Sequence, residues 1–336
     1  MRTVTRRQFV VGAGATIATV GILRKARAAE FTLKYCNNQV LTHPMNIRAA
    51  EAIEAIKKDS NGRVEIQTFP NSQLGGDTDV LAQLRAGAVQ FFHLSGLILA
   101  TLVPVASING VGFAFKGYKD VWPAMDGDLG KFVRDGIAKA NLYTFEKIWD
   151  NGFRQITSST RPILTAADLK GFKIRVPVSP MWTSMFNALG AAPTSINFNE
   201  TYSALQTKLV EGQENPLAII ELFKIYEVQK YLSMTNHMWD GFWILANGDA
   251  WRKLPKDVQD IISKRFNEAA EKQRADVEGL NNTLAKSLAG HGMDIRTPDA
   301  ESFRAQLRNA GYYKEWQGKF GNDAWTVLKR YAGELG

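Results

Sequence analysis

Cysteine is nearly absent from the 336-residue sequence, which contains only Cys36. A single cysteine excludes an intramolecular disulfide, and its place at the end of an alternating apolar stretch indicates a small buried side chain rather than a nucleophile. Histidine is scarce too, and none of the four histidines has a second His, Cys or carboxylate at metal-ligand spacing. We therefore expect no metal site.

Motifs for cofactor binding and covalent catalysis are also missing. The sequence has no phosphate-binding loop and no Gly-x-Ser-x-Gly elbow, and Gly12-Ala13-Gly14 follows no predicted strand, so it does not indicate a dinucleotide site. Residues 126–130 resemble the opening of a calcium loop, but Lys131 and Ile137 stand where that loop needs Gly and Glu. The sequence thus predicts no cofactor and no catalytic residues, which is not the pattern of an enzyme.

Residues 1–28 have the features of a targeting peptide. The pair Arg6-Arg7 precedes a short apolar run at 10–23, and the small residues at 26 and 28 suit a signal peptidase. Twin arginines indicate export of a folded protein. We therefore expect a periplasmic chain that is soluble after cleavage behind Ala28 or Ala29, with an uncleaved anchor as the alternative.

The formal net charge of +8 results largely from this peptide. The peptide contains six of the 41 Lys and Arg residues and no Asp or Glu, so removing these six charges from +8 leaves +2. A nearly balanced protein has no long-range field that favours nucleic acid. Nucleic acid is therefore excluded as the expected partner.

Strand and helix patterns alternate along the rest of the chain. Short apolar strands at 31–35, 64–69 and 89–94 are separated by helical patterns, and a second such unit begins near 143–149. This succession predicts an α/β fold with a mostly parallel sheet covered by helices. The apolar stripe of 256–289 predicts one helix of roughly 50 Å, which is too long for one medium domain and should pack along two lobes.

One arginine stands where ligands bind in α/β sheets. Arg175 lies at the carboxyl end of the predicted strand 172–176 and is followed by Pro177, and open α/β sheets bind ligands beyond that end of their strands. A guanidinium there can hold a carboxylate through two parallel hydrogen bonds. A surface salt bridge is the competing interpretation.

Residues 151–237 contain a series of motifs in a specific order. They are NGFR at 151–154, RP at 161–162, DLKGFKIRVP at 168–177, LGAAP at 189–193, YSALQ at 202–206, EGQENP at 211–216, YEVQK at 226–230 and TNH at 235–237. In this order and spacing they resemble the solute-binding proteins of TRAP (tripartite ATP-independent periplasmic) transporters. The resemblance covers essentially the whole mature chain.

The resemblance implies a two-lobed type II periplasmic-binding-protein fold. Lobe I would comprise 29–150 plus 241–280, and lobe II 151–240 plus 281–336. The implied function is capture of a small carboxylate between the lobes, hinge closure, and delivery by a monomer to the integral-membrane permease subunits. The alternatives are a twin-arginine-exported cofactor enzyme and a binding protein that serves a sensor kinase or an ATP-driven importer.

The resemblance also assigns ligand-binding residues. Arg175 would bind the ligand carboxylate, and Arg154, in a predicted loop, would assist. Phe198 and Asn215 match ligand-contacting positions, although Phe198 could belong to the core and Asn215 could cap a helix. Further candidates are residues that the first lobe and the aromatic-rich segments would supply: Asn37, His43, Asp77, His93 and Trp239.

Two of these further candidates have competing interpretations, and the ligand itself is left open. Asp77 could be a helix N-cap, and His93 could be a buried core histidine. The aromatic residues near the cleft would suit an aromatic or keto acid, whereas Asp77 and the asparagines would suit a hydroxylated sugar acid. The sequence does not decide between these ligands and a dicarboxylate.

Overall fold

The computed structural model describes residues 29–335. The predicted signal peptide at 1–28 lies outside the described residues. Within 29–335, no helix combines the length and the apolar character that a membrane crossing requires.

The first elements confirm the predicted alternation of strands and helices. They are β1 (Phe31–Cys36), α1 (Pro44–Asp59), β2 (Val64–Phe69), α2 (Asp77–Arg85), β3 (Phe91–Ser95), α3 (Gly96–Leu99), α4 (Tyr118–Asp126), α5 (Asp128–Lys139) and β4 (Leu142–Thr144). Strands β2 and β3 both pair with β1 in parallel, as crossover helices require. Leu33 and Tyr35 of β1 alternate with polar residues and pack in one core with Met45 of α1.

The next elements form a second α/β unit. They are β5 (Trp149–Ser158), β6 (Lys173–Val176), α6 (Pro180–Ala188), β7 (Ala192–Ser195), α7 (Thr201–Gln206), β8 (Gly212–Pro216), α8 (Leu217–Leu222), β9 (Tyr231–Ser233) and β10 (Trp239–Asn247). Strand β6 pairs in parallel with β7 and β8. It carries Arg175 one residue before its carboxyl end, as the sequence predicted.

The C-terminal part contains the predicted long helix. Its elements are α9 (Gly248–Arg252), α10 (Lys256–Gly290), β11 (Asp294–Arg296), α11 (Ala300–Asn309), α12 (Tyr312–Phe320) and α13 (Asn322–Ala332). Helix α10 contacts α1, β5 and α8, and its apolar residues divide between two cores. Phe266 packs with α1, whereas Leu284 and Leu288 pack with α8. This confirms that one helix packs along both units.

Strands β5 and β10 cross between the two units. The start of β5 pairs with β10 and its end pairs with β8 and β9, so the main path of the sheet runs β2-β1-β3-β10-β5-β8-β6-β7. Gly152 in β5 has a φ of 114°, which strongly favours glycine, and a Cβ there would lie 3.3 Å from the Cβ of Pro216. The result is the two-lobed α/β architecture that the sequence predicted, with two strands passing between the lobes. The expectation of a mostly parallel sheet is wrong, because β5 and β10 pair antiparallel with their neighbours.

Candidate ligand-binding site

A cavity lies where β5 and β10 cross between the lobes. Residues of both lobes and of the crossing strands line it: Asn38, Gln39, Asp77, Ser95, Ile98, Asn151, Arg154, Arg175, Pro177, Phe198, Asn215, Ile219, Asp240 and Phe242. Several follow or end the parallel strands β1, β3 and β6, where α/β sheets bind ligands. Five of the nine predicted site residues are thus brought together: Arg175, Arg154, Asn215, Phe198 and Asp77.

Arg175 is buried, with one guanidinium nitrogen left without a partner. Its Nε and Nη2 donate to the backbone oxygen of Ile196, at 2.9 and 2.7 Å, whereas Nη1 has no hydrogen-bond partner. Burial lowers the pKa of the guanidinium to about 10, and Glu214 opposes that effect. The interpretation of Arg175 as a surface salt-bridge residue is wrong, since only 1% of it is exposed. A buried cation with an unused donor is suited to receive an anion.

Arg154 lies within β5 and is already neutralised by carboxylates of the protein. Its Nε and Nη2 donate to the two carboxylate oxygens of Glu214, at 2.5 and 2.8 Å, and its Nη1 donates to Asp240 at 3.2 Å. Burial disfavours ionisation of Glu214, but Arg154 outweighs that effect and holds the pKa of Glu214 below its usual range. Because Arg154 lies within β5, the expectation that it lies in a loop is wrong. Its help to a ligand carboxylate stays a prediction.

Asp77 contributes a buried carboxylate from the first lobe. Gly76 is the N-cap of α2 and no side chain caps that helix, so the N-cap interpretation of Asp77 is wrong. Both carboxylate oxygens instead accept hydrogen bonds from Nδ2 of Asn38, at 2.9 and 3.0 Å. Burial raises the pKa of Asp77 to about 6, although Asn38 and the charge of Arg175 oppose the shift.

Asn215 and Phe198 line the cavity from the second lobe. Asn215 lies in β8 and pairs with Gln155 of β5, while the following helix α8 begins at Leu217 without a side-chain cap. The helix-cap interpretation of Asn215 is therefore wrong. Phe198 packs edge-on against Phe223 at 4.6 Å, so it belongs to the core and to the cavity wall at once.

Two predicted lining residues serve the start of α1 instead. Asn37 donates to Asn46 at 2.7 Å and accepts from the backbone nitrogen of Gln39 at 2.9 Å. The Nδ1 of His43 accepts from the backbone nitrogen of Met45 at 3.1 Å, which caps α1, and burial lowers the pKa of His43 to about 4. Neither residue lines the cavity. Both instead stabilise the segment between β1 and α1, which carries the lining residues Asn38 and Gln39.

The other two predicted residues that miss the cavity lie in the core. The Nδ1 of His93 lies 2.7 Å from the hydroxyl of Tyr35, and its ring packs edge-on against Trp149 at 4.7 Å. This confirms the core interpretation of His93. Trp239 is fully buried and donates through Nε1 to Asp150 at 2.8 Å, so it supports the crossing strands and does not line the cavity.

Sequence reasoning missed five polar lining residues: Asn38, Gln39, Ser95, Asn151 and Asp240. The first three lie at or just beyond the carboxyl ends of β1 and β3. The rule about strand ends that indicates Arg175 at the end of β6 therefore applies to these three residues as well. Asn151 and Asp240 lie at the crossing of β5 and β10, a long-range pairing that no local pattern indicates.

Two further observations concern metal binding and the single cysteine. Within 29–335, no three His, Cys, Asp or Glu side chains lie close enough together to hold a metal ion. Cys36 is buried in β1, and burial raises the pKa of its thiol to about 12. This confirms its interpretation as a small buried side chain, because a protonated thiol is a poor nucleophile.

Two α/β lobes with a charged, polar cavity at their crossing strands define a cleft-type solute-binding protein. Residues 38–317 match the DctP family model, described as bacterial extracellular solute-binding protein, family 7, and the chain belongs to this family. The match confirms the family that the sequence motifs predicted.

Individual relatives agree with this assignment. The chain is 31% identical to the sialic acid-binding periplasmic protein SiaP of Vibrio cholerae, over 80% of this chain and 83% of that protein. It is 35% identical to the uncharacterized protein y4mM of Sinorhizobium fredii over 89% of this chain, and spans 56% of that protein's length. The sugar acid binding protein DctPAm from Advenella mimigardefordensis, in complex with galactonate, has the same fold, with a TM-score of 0.86 and 28% identity over 92% of this chain and 100% of that one.

Proposed function

We propose that the protein captures a small organic acid in the cavity between its lobes and delivers it to the membrane subunits of a TRAP transporter. The observation that carries the proposal is the buried Nη1 of Arg175, a charged donor without a partner in a cavity wall. Family membership supports the transport role, and one relative is named as a sialic acid-binding periplasmic protein. The comparisons do not favour a cofactor enzyme or a binding protein for a sensor kinase or an ATP-driven importer.

Within this proposal Arg175 is the partner of the ligand carboxylate. A carboxylate that enters a closed cavity loses its hydration and needs a charged donor in return. Arg154 is held by Glu214 and Asp240, so it contributes the charge balance of the site rather than a free donor. Asn215, Phe198 and Asp77 complete the proposed lining. The protein does no chemistry on the ligand and acts as a monomer.

The proposed lobes are 29–150 plus 241–280, and 151–240 plus 281–336. The crossing of β5 and β10 and the change from one core to another along α10 support the boundaries near 150, 240 and 280. The C-terminal helices touch both sides, because α12 packs on α6 whereas α13 packs on α4 and α5. Closure of the lobes is therefore expected to bend β5, β10 and α10 and to shift the contacts of the C-terminal helices.

A saturating carboxylate is expected to stabilise the protein and to close it. A ligand at about 100 times its Kd adds roughly 2.7 kcal/mol to the free energy of unfolding, and closure reduces the radius of gyration. Thermal unfolding against a panel of organic acids identifies the ligand, and X-ray solution scattering with and without it measures closure. A panel without any stabilising acid, or identical scattering curves at saturation, would contradict the proposal.

We further propose that residues 1–28 are a twin-arginine signal and that the mature chain is periplasmic. The pair Arg6-Arg7 and the small residues at 26 and 28 support this. Replacing Arg6 and Arg7 by Lys is expected to leave the precursor in the cytoplasm, as measured by cell fractionation. A variant with a lysine pair that reaches the periplasm in unchanged amount would exclude the twin-arginine route.

A further inference from the structure

A chain of hydrogen bonds fixes the amide of Gln39 with its oxygen unused. The carboxylate of Asp77 can only accept, so Asn38 must present its Nδ2, at 2.9 and 3.0 Å from the two oxygens. The Oδ1 of Asn38 then accepts from Nε2 of Gln39 at 2.7 Å. Each bond sets the orientation of the next amide. The Oε1 of Gln39 is left buried without a partner.

The carboxylate of Asp240 orients the amide of Asn151 in the same way, on the crossing strands. Asp240 accepts from Nδ2 of Asn151 at 2.8 Å, from the hydroxyl of Ser95 at 2.8 Å and from Nη1 of Arg154 at 3.2 Å. One N–H of Asn151 is thereby committed to Asp240, and its Oδ1 is buried without a partner. Gln39 and Asn151 both line the cavity, and each is 1% exposed.

Three lining residues, Arg175, Gln39 and Asn151, each have a buried side-chain atom without a hydrogen-bond partner. Arg175 offers one charged donor, Nη1, whereas Gln39 and Asn151 offer two acceptors. Buried polar groups left without hydrogen bonds are costly. A complementary ligand has one carboxylate for the donor and at least two hydrogen-bond donors for the oxygens.

This pattern discriminates between classes of acid. A second carboxylate would bring negative charge to acceptor oxygens and to the buried carboxylates of Asp77 and Asp240, which like-charge repulsion opposes. An aliphatic or aromatic acid without hydroxyls would leave both amide oxygens unpaired. Hydroxyl groups satisfy the oxygens without adding charge.

We infer that the site selects hydroxylated monocarboxylates, whose hydroxyl groups donate to Gln39 and Asn151 while the carboxylate binds Arg175. The inference rests on the proposed function, since it concerns the same cavity. It names the chemical class of the ligand and assigns to Gln39 and Asn151 a role in specificity.

The test uses four-carbon acids of matched length. Calorimetry compares erythronate, which has three hydroxyl groups, with butanoate, which has none, and with succinate, which has a second carboxylate. We expect erythronate to bind more tightly than butanoate or succinate by a factor of about 100 or more. A site built to bond hydroxyl groups rejects analogues that lack them. Butanoate or succinate binding as tightly as erythronate would overturn the inference.

Two variants test the assigned residues. Gln39→Met and Asn151→Leu replace an amide by an apolar side chain of similar size. Each is expected to weaken erythronate binding about tenfold or more and to leave butanoate binding unchanged or tighter. Gln306→Met is the matched control, because Gln306 bonds the backbone oxygen of Ala188 at 3.0 Å and does not line the cavity. An unchanged ratio of erythronate to butanoate affinity in both cavity variants would overturn the assignment.

The outcomes separate the two levels of the argument. If none of these acids and no other carboxylate binds, the proposed function fails and the inference falls with it. If carboxylates bind through Arg175 but without a preference for hydroxyl groups, only the inference fails. A fourth acid, 2-aminobutanoate, offers an ammonium donor, and tighter binding of it than of erythronate would replace the hydroxyl assignment with an amino-acid site.

Discussion

Replacing Arg175 by alanine is expected to weaken binding of the carboxylate ligand by about 2–5 kcal/mol, the cost of leaving a buried charge without its partner. The expectation follows from the guanidinium, whose Nε and Nη2 are anchored on Ile196 while Nη1 is unused. Arg175→Lys is expected to recover only part of the loss, since an ammonium is a point charge without the planar fork of donors. Calorimetry with the ligand found in the screen measures each variant.

Two further variants separate an effect on folding from an effect on binding. Arg175→Met retains an unbranched apolar stem in β6 and limits the cavity left behind, so it tests the charge if the alanine variant does not fold. Arg85→Ala is the matched control, because Arg85 is exposed at the end of α2. If Arg175→Met and Arg175→Ala fold and bind within about threefold of the wild type, or roughly 0.7 kcal/mol, the carboxylate is held elsewhere.

The position of Arg175 shows what a sequence can predict about such a site. The turn at 168–171 precedes the predicted strand, and a general rule about strand ends then placed its arginine at the edge of the sheet where the cavity lies. Local periodicity predicted α10, which runs from Lys256 to Gly290. Features that depend on a repeating pattern along one segment were therefore accessible.

Arg154 shows where such reasoning stops. Its partners, Glu214 and Asp240, are 60 and 86 residues away in the chain, and they meet it only because β5 pairs with both β8 and β10. No local pattern contains that pairing. The sequence therefore identified the charge but not the carboxylates that neutralise it.

The segment after β1 shows a second limit. Alternation holds as far as Cys36, where the strand ends, and beyond it the direction of each side chain depends on the turn. Asn37 was predicted to line the cavity, but it bonds Asn46 while Asn38 and Gln39 line the cavity. A shift of one residue outside a regular element thus separates a supporting residue from a lining residue.

Glu214→Gln is expected to lower the free energy of unfolding by about 3–5 kcal/mol, because it removes one partner of a buried ion pair. Arg154 and Glu214 are both fully enclosed, with side chains 3% and 0% exposed, and their guanidinium and carboxylate meet through two hydrogen bonds. The substitution keeps the shape of the side chain but leaves Arg154 with Asp240 as its single carboxylate partner. Denaturant titration of the ligand-free protein measures the loss.

An exposed pair provides the control for this substitution. Lys131 and Asp135 form a one-turn pair on α5, with side chains 68% and 58% exposed, and Asp135→Asn is expected to cost no more than about 0.5 kcal/mol. The two pairs differ in burial and in geometry, since Arg154 meets Glu214 through two hydrogen bonds whereas Lys131 meets Asp135 through one. Equal losses in Glu214→Gln and Asp135→Asn would show that Arg154 and Glu214 are not a desolvated ion pair in the folded protein, and the charge balance argued for the cavity would fail with that result.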